Sequence, residues 1–119
     1  MKKIYYLSTC DTCKRIMKEA RITKENGFVL QDIKTEKITA TQLDSMKKMA
    51  GGYEALFNRR AIKYKEIKGK TLTEADYRKY ILLEYTFLKR PVVIINQQIF
   101  IGNGKNNITN LIKVVANHK

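Results

Sequence analysis

Cysteine and proline are scarce in this sequence of 119 residues, which has two cysteines, one proline and no tryptophan. The two cysteines, Cys10 and Cys13, exclude a framework of several disulfides, and a bridge between them would close too small a loop to add much stability. No apolar run approaches the roughly 20 residues that span a bilayer, and the first residues do not resemble a secretory signal. We therefore expect a cytoplasmic protein with no membrane partner.

Acidic residues are also in short supply. Eleven aspartates and glutamates stand against 24 lysines and arginines, which gives a formal net charge of +13. Such an excess can attract nucleic acid, an acidic protein or an anionic substrate. The cations are spread along the chain, however, as is typical of a solvated surface, so direct nucleic-acid binding is the weaker interpretation. The densest basic segment runs from Arg59 to Lys70, with Glu66 as its one acid.

The two cysteines lie together as Cys10-Asp11-Thr12-Cys13, after an apolar run and before a helical pattern. A helix N-terminus presents unpaired N–H groups and a partial positive charge, which favour a thiolate and lower its pKa. We predict that Cys10 is the nucleophile and that Cys13, in the first helical turn, is the resolving thiol. Thr9 and Thr12 can hydrogen-bond the sulfur. In a reducing compartment such a pair favours redox chemistry over a structural bridge.

Two alternatives to thiol chemistry have less support. Both cysteines could be small buried hydrophobic residues, but then the only two cysteines would meet at this junction by chance. A zinc site needs about four ligands, and the only histidine, His118, lies among the last residues of the sequence. We therefore expect no metal and no bound cofactor.

The first third of the chain has the pattern of a strand, a helix and a second strand. Ile4 to Leu7 and Phe28 to Leu30 are predicted strands, and the helix between them begins near Cys13 and is expected to end at Asn26-Gly27. Two strands joined by a helix imply a parallel crossover.

The middle of the chain is predicted to be helical, and the last third returns to strands. One helix is capped by Thr39 or Thr41 and ends at Gly51-Gly52, and another starts at Thr73 and runs to about Leu88. The segments 92–95 and 98–102 form a β-hairpin, and Asn107 caps a final helix. We predict one α/β domain over residues 1–119, with a thioredoxin-like mixed β-sheet (βαβ…ββα). Its halves span about 1–35 and 86–119, and a helical insertion spans about 36–85.

Pro91, the only proline, stands between Arg90 and an apolar strand. An X-Pro bond can be cis at modest cost, and in thioredoxin-like folds a cis-proline at the start of the third strand faces the redox loop. We predict such a bond here, the alternative being a trans proline that ends the preceding helix. Arg60 and Arg90 are predicted to orient an anion, because the planar guanidinium suits oxyanions and carboxylates. Either arginine could instead be a solvated surface charge.

These features together resemble the ArsC/Spx family, which contains arsenate reductases and Spx-type transcription regulators. The resemblance covers essentially the whole chain and implies a thioredoxin-like fold with a helical insertion. It rests on Ser8 to Lys14 with the two cysteines, on Asn58-Arg59-Arg60 followed by Tyr64, and on Lys89-Arg90-Pro91-Val92-Val93.

In the arsenate reductases of this family the first cysteine attacks arsenate, and three arginines help to bind the anion. The resemblance gives these roles to Cys10, Arg60 and Arg90, and it places Asn103 where the third arginine is expected. Asparagine can donate a hydrogen bond but carries no charge. The implied function is a thiol-dependent redox protein, with glutathione or a dithiol protein of the glutaredoxin or thioredoxin type as reductant.

The cysteine pair also resembles the redox switch of Spx proteins. Those bind the C-terminal domain of the RNA polymerase α-subunit, and Gly52 stands where one of their glycines contributes to that contact. A disulfide between Cys10 and Cys13 would replace a thiolate by a neutral bridge, which changes the local charge. The alternative prediction is therefore a redox-sensing transcription regulator.

Overall fold

The structure, a computed structural model, describes residues 1–118. Over these residues the chain forms a four-stranded mixed sheet with the order β2-β1-β3-β4, together with four α-helices. This confirms the predicted α/β fold and its βαβ…ββα order. The strands are β1 (Lys2–Tyr6), β2 (Val29–Asp32), β3 (Val92–Ile95) and β4 (Gln98–Ile101), and the helices are α1 (Asp11–Ala20), α2 (Ala40–Ala50), α3 (Glu74–Leu83) and α4 (Lys105–Asn117).

The chain divides into two compact units. The sheet unit comprises Met1–Glu36 and the chain from Arg90 onward, and the helical unit comprises Lys37–Lys89. Within the part of the chain that the structure describes, no helix combines the length and the apolar character needed to cross a membrane.

In the sheet unit, β1 pairs in parallel with β2 and antiparallel with β3, which forms the predicted hairpin with β4. The hairpin turns at Asn96, which takes a left-handed φ of 56°. All four residues of β3 are buried, as expected of an apolar strand between two others. The core of the unit includes Ile4, Ile16, Val93, Phe100 and Leu111.

In the helical unit, side-chain caps determine where the helices start. The hydroxyl of Thr39 accepts the Gln42 N–H, and the Gln42 side chain accepts the Thr39 N–H, which confirms the predicted start of α2. Thr73 and Asp76 form the same capping box at α3. Helix α2 ends at Gly51, whose φ of 89° is left-handed. Short 3₁₀ turns lie at Glu54–Leu56, Ile62–Glu66 and Tyr85–Phe87.

Two predicted helix ends are wrong. Helix α1 ends at Ala20 rather than at Asn26-Gly27, because Arg21 adopts a left-handed φ of 58° and its N–H closes back on the last turn. Helix α3 ends at Leu83 rather than near Leu88. There Glu84 becomes extended, and its carboxylate caps the 3₁₀ turn that follows.

The predicted cap of the last helix is also wrong. Helix α4 is preceded by Gly104, so Asn107 already lies inside the helix. The side-chain amide of Asn107 instead donates to the carbonyl oxygens of Ile101 and Gly102, at 3.1 and 2.9 Å. Asn107 therefore ties the helix to the end of β4.

Candidate functional site

Cys10 closes a tight turn between β1 and α1. Its N–H donates to the carbonyl of Leu7 at 3.0 Å, and its own carbonyl accepts the N–H of Lys14 at 3.2 Å. With φ −97° and ψ 112° Cys10 is extended, and it is the N-cap of α1. Its sulfur accepts the N–H of Cys13 at 3.4 Å. Cys10 thus occupies the position that serine, threonine or aspartate usually takes, and its sulfur meets the unpaired amides of the helix.

The surroundings of Cys10 favour its thiolate. Partial burial acts to raise the pKa of this thiol, but hydrogen bonds from the Cys13 N–H, the Cys13 thiol and the Thr12 N–H lower it. The positive charge of Arg90 lowers it further, and the net shift of the pKa is downward. Cys10 is half-buried.

Cys13 has the opposite character. It has no exposed surface, and burial is the main cause that raises the pKa of its thiol to about 12. The hydrogen bond and the charge of Cys10 raise it further, whereas a backbone hydrogen bond with Leu7 and the charge of Arg90 oppose the shift. Neither cysteine forms a disulfide. The two thiols therefore differ, because the pKa of Cys10 is lowered and that of Cys13 is raised.

A serine and an aspartate fix the start of this turn to the sheet. The Ser8 hydroxyl donates to Asp32 Oδ2 at 2.5 Å, and the Ser8 N–H donates to Asp32 Oδ1 at 3.4 Å. The Lys34 N–H also donates to Asp32 Oδ1, at 3.2 Å. Slight burial acts to raise the pKa of Asp32, but these bonds lower it overall.

Neither Ser8 nor Asp32 has a role predicted from the sequence. The available signal is an acid at the end of a strand that neighbours β1 in parallel, since the carboxyl ends of parallel strands lie at one edge of a sheet.

Arg90 and Pro91 lead into β3, and the peptide bond between them is cis. Pro91 is buried, and its carbonyl accepts the N–H of Gly102 at 2.8 Å. Arg90 is half-buried, and its charge acts on both Cys10 and Cys13. The structure thus brings Arg90 to the thiol pair, while a role in binding substrate stays a prediction.

The other predicted site residues of the sheet unit are more peripheral. Thr12 reaches the Cys10 sulfur through its backbone N–H, and Thr9 is exposed in the turn. Asn103 is exposed between β4 and α4, where it lines a shallow groove with Arg15 of α1. Over residues 1–118, the His, Cys, Asp and Glu side chains form no group of three that could hold a metal ion.

Arg60 belongs to the helical unit, where the basic segment is partly neutralised. Arg60 is exposed, and its N–H donates to Asn58 Oδ1 at 3.1 Å. The neighbouring Arg59 forms an ion pair with Glu54, at 2.8 Å. The role of Arg60 as an anion-binding group stays a prediction.

Gly52 also belongs to the helical unit, just after α2, and it is half-exposed. A Cβ atom at this position would lie 3.0 Å from Oε1 of Glu74. That carboxylate accepts the N–H groups of Tyr53 and Glu54, at 2.7 and 3.1 Å. Glycine therefore leaves room for a carboxylate that pairs with the backbone of the next two residues.

Comparison with known families identifies the chain. A sequence model of the ArsC family matches residues 5–111. The chain belongs to the ArsC family. The matched region includes Cys10, Cys13, Arg60, Arg90 and Asn103, so the predicted site lies within the shared part of the sequence. A search of curated proteins finds no match to this ArsC-family chain.

Solved structures of related proteins share the ArsC-type, thioredoxin-like fold. An arsenate reductase from Vibrio cholerae has 17% identity and a TM-score of 0.71, with 92% of this chain and 96% of that chain covered. An arsenate reductase related protein from Brucella melitensis has 23% identity and a TM-score of 0.69, with 92% of each chain covered. A protein from Bacteroides fragilis related to the ArsC family has 22% identity and a TM-score of 0.74, with 92% and 96% covered. At these identities the likeness establishes the fold.

Proposed function

We propose that this ArsC-family protein is a cytoplasmic thiol-dependent redox protein in which Cys10 is the attacking thiolate and Cys13 is the resolving thiol. The observation that carries the proposal is the Cys10 sulfur at the start of α1, where it accepts the N–H of Cys13 at 3.4 Å. Membership of the ArsC family supports thiol chemistry at this position. The opposite shifts of the two thiol pKa values support a division of labour between them.

With a disulfide as substrate, the first step forms a mixed disulfide. The Cys10 thiolate bonds to one substrate sulfur, and the other sulfur leaves with the electron pair of the broken bond and is then protonated. The negative charge at Cys10 disappears in this step. Two of the causes that raise the pKa of Cys13, its hydrogen bond to Cys10 and the charge there, disappear with it.

In the second step Cys13 attacks the mixed disulfide at Cys10. The pKa of Cys13 falls after the first step, and the charge of Arg90 and the backbone hydrogen bond with Leu7 still favour its thiolate. Cys13 gives its proton to solvent, its thiolate attacks the Cys10 sulfur, and a disulfide joins Cys10 to Cys13, while the second substrate sulfur leaves with the electron pair of the broken bond and is protonated. The substrate has gained two electrons, and glutathione or a dithiol protein of the glutaredoxin or thioredoxin type returns them to the pair.

For an anionic substrate such as arsenate, we propose that Arg90 and Arg60 bind and orient the anion. This role of Arg90 is supported by its positive charge, which acts to lower the pKa of both thiols. Asn103, Thr9, Thr12 and Pro91 are proposed as the surrounding binding groups. Because Asn103 is neutral, we expect weaker binding of oxyanions than three arginines would give.

Alkylation of the reduced protein at about pH 6 tests the proposal. Iodoacetamide reacts with the thiolate, so we expect Cys10 to be modified at least about tenfold faster than Cys13. Peptide mass spectrometry measures both rates, and Cys10→Ser and Cys13→Ser identify each signal. Equal and slow labelling of both cysteines would contradict the proposal. Stopped-flow mixing with glutathione disulfide, peroxide or arsenate then shows which substrate class oxidises the pair, with Cys10→Ser as the control.

A second candidate is an Spx-type regulator that binds the C-terminal domain of the RNA polymerase α-subunit and senses oxidation. It is favoured by Gly52, which is half-exposed beside the end of α2. A pull-down with that domain, with and without oxidant, separates the two candidates. Binding that depends on the oxidation state supports the regulator, and a lack of binding in both states excludes it.

A further inference from the structure

The turn that carries Cys10 is held at its start by one carboxylate. Asp32 is the last residue of β2 and is the register partner of Tyr6, the last residue of β1. Its two oxygens accept the hydroxyl and the N–H of Ser8, at 2.5 and 3.4 Å. Ser8 is thus bonded to the neighbouring strand through both its backbone and its side chain.

The next bonds lead from Ser8 to the sulfur. Leu7, which precedes Ser8, accepts the N–H of Cys10 at 3.0 Å. Leu7 also makes a backbone hydrogen bond with the Cys13 thiol. The Cys10 sulfur in turn accepts the N–H of Cys13 at 3.4 Å. A shift of the turn that moves Cys10 would therefore change this contact, which is one of those that lower the pKa of Cys10.

We propose that Asp32 is a positioning residue for Cys10, acting through Ser8 and the turn from Leu7 to Cys10. The inference rests on the proposed function and adds a residue to it. Asp32 does not contact the substrate. It keeps the backbone of the turn in place, so that the Cys10 sulfur stays within hydrogen-bonding distance of the amides of α1 and is ready to attack. The Ser8 hydroxyl is needed for this effect, because it donates a second hydrogen bond to the Asp32 carboxylate beside the one from the Ser8 N–H.

A purely electrostatic role of Asp32 predicts the opposite result. If its negative charge mattered only by repelling the thiolate, then removing it would make Cys10 more acidic and faster to react. Removing the Ser8 hydroxyl would then have little effect. Positioning predicts that both changes slow Cys10, and that the second change adds little once the first has been made, because both break one link.

The test measures the rate of alkylation of Cys10 by iodoacetamide from about pH 5 to pH 10 in the full chain. The variants are Ser8→Ala, Asp32→Ala and the double variant. Glu36→Ala is the matched control, because it removes the same charge from an exposed side chain just beyond β2. We expect both single variants to react at least about threefold more slowly near pH 6 and to approach the wild-type rate at high pH. The double variant should match the slower single variant, and Glu36→Ala should match wild type.

The outcomes separate this inference from the proposed function. A wild-type Cys10 that reacts no faster than an ordinary cysteine overturns the proposed function and the inference with it. A fast wild type with an equally fast Ser8→Ala overturns the inference alone, as does an Asp32→Ala variant that reacts faster than wild type. Thermal unfolding of each variant shows that the fold is intact. Ser8→Ala is the gentler change and decides the matter if Asp32→Ala does not fold.

Discussion

Charged side chains are used differently in the two units of this protein. In the helical unit several of them form ion pairs with one another. The carboxylate of Asp44 accepts hydrogen bonds from Nε and Nη2 of Arg78, at 2.9 and 3.1 Å. It also accepts one from the hydroxyl of Tyr53, at 2.6 Å. Lys63 likewise pairs with Glu84 at 2.9 Å. These cations and anions are occupied in joining one segment of the unit to another.

In the sheet unit, charge and dipoles are directed at a group that can react. The amides at the start of α1 and the charge of Arg90 both favour a thiolate at Cys10. The attraction is of the same physical kind as in the helical unit, but its partner is a thiol that has to stay accessible under the proposed function. We therefore expect substitutions that alter the surroundings of Cys10 to change chemistry, and substitutions at the ion pairs of the helical unit to change stability slightly.

Loss of Cys13, the proposed resolving thiol, is expected to give the largest effect. In Cys13→Ala the first step can occur, but no thiol follows to release the product. We expect a mixed disulfide between Cys10 and glutathione to accumulate after treatment with glutathione disulfide, and intact-protein mass spectrometry detects the added mass. Cys10→Ser is the control and should gain none. Release of the second glutathione at the wild-type rate without Cys13 would contradict the assignment.

Loss of the arginine charge should have the next largest effect. Arg90→Gln removes a positive charge that helps to lower the pKa of Cys10. The pKa of Cys10 should therefore rise, less of the thiol is ionised near pH 6, and alkylation there should slow by about threefold to tenfold. The exposed Lys14→Gln removes the same charge from α1 and should have a smaller effect. Both variants should react at the wild-type rate at high pH, where Cys10 is ionised in each. Equal slowing by the two variants would show that Arg90 acts only through the net charge.

The order of elements could be predicted because it depends on local patterns. The capping box at Thr39 and the hairpin turn at Asn96 are both encoded within a few residues. The helix ends were harder, since Arg21 takes the left-handed conformation for which Asn26-Gly27 offered the more usual sequence. A left-handed arginine has no local signal that distinguishes it from an ordinary helical one.

The candidate site shows the same division. The spacing of Cys10 and Cys13 at a strand-to-helix junction predicts that Cys10 is the nucleophile, and the pKa shifts of the two thiols run in the direction that this role needs. The bonds between Ser8 and Asp32 could not be predicted, because they depend on the register in which β1 pairs with β2. Contacts between residues so far apart in sequence need the sheet to be in place first.

In the helical unit, Asp44→Asn should cause a small and pH-dependent loss of stability. Hydrogen bonds from Arg78 and then Tyr53 lower the pKa of Asp44 from 3.8 to about 2. A lowered pKa in the folded state adds stability above about pH 4, and this is lost as the pH falls through about 2. Because the pair is half-exposed, we expect Tm at neutral pH to fall by at most about 5 °C.

The pH dependence distinguishes this ion pair from other causes of instability. The difference in Tm between wild type and Asp44→Asn should narrow as the pH is lowered from about 4 towards 2. Glu25→Gln, at an exposed residue of the sheet unit, is the control and should leave Tm unchanged. A difference in Tm that stays constant down to that pH would show that the pairing of Asp44 with Arg78 is not its source.

The smallest effect on Tm is expected at Gly52. Glycine at this position could be needed for the fold or for the proposed contact with RNA polymerase, and the two roles can be distinguished. In Gly52→Ala the new methyl group meets Oε1 of Glu74 at 3.0 Å. The carboxylate can move, but doing so weakens its bonds to the N–H groups of Tyr53 and Glu54. We expect Tm to fall by at most about 3 °C, because the gain from a less flexible unfolded chain offsets part of the loss.

A second background shows whether Glu74 is the cause. Once Glu74→Ala has removed the carboxylate, Gly52→Ala should be neutral or slightly stabilising, since the position does not have a positive φ. Gly69→Ala is the matched control: with φ at 94° and open space around it, it should destabilise equally in both backgrounds. If Gly52→Ala costs the same with and without Glu74, the crowding argument fails. If the cost is small and depends on Glu74, loss of polymerase binding in Gly52→Ala would reflect the contact surface rather than the fold.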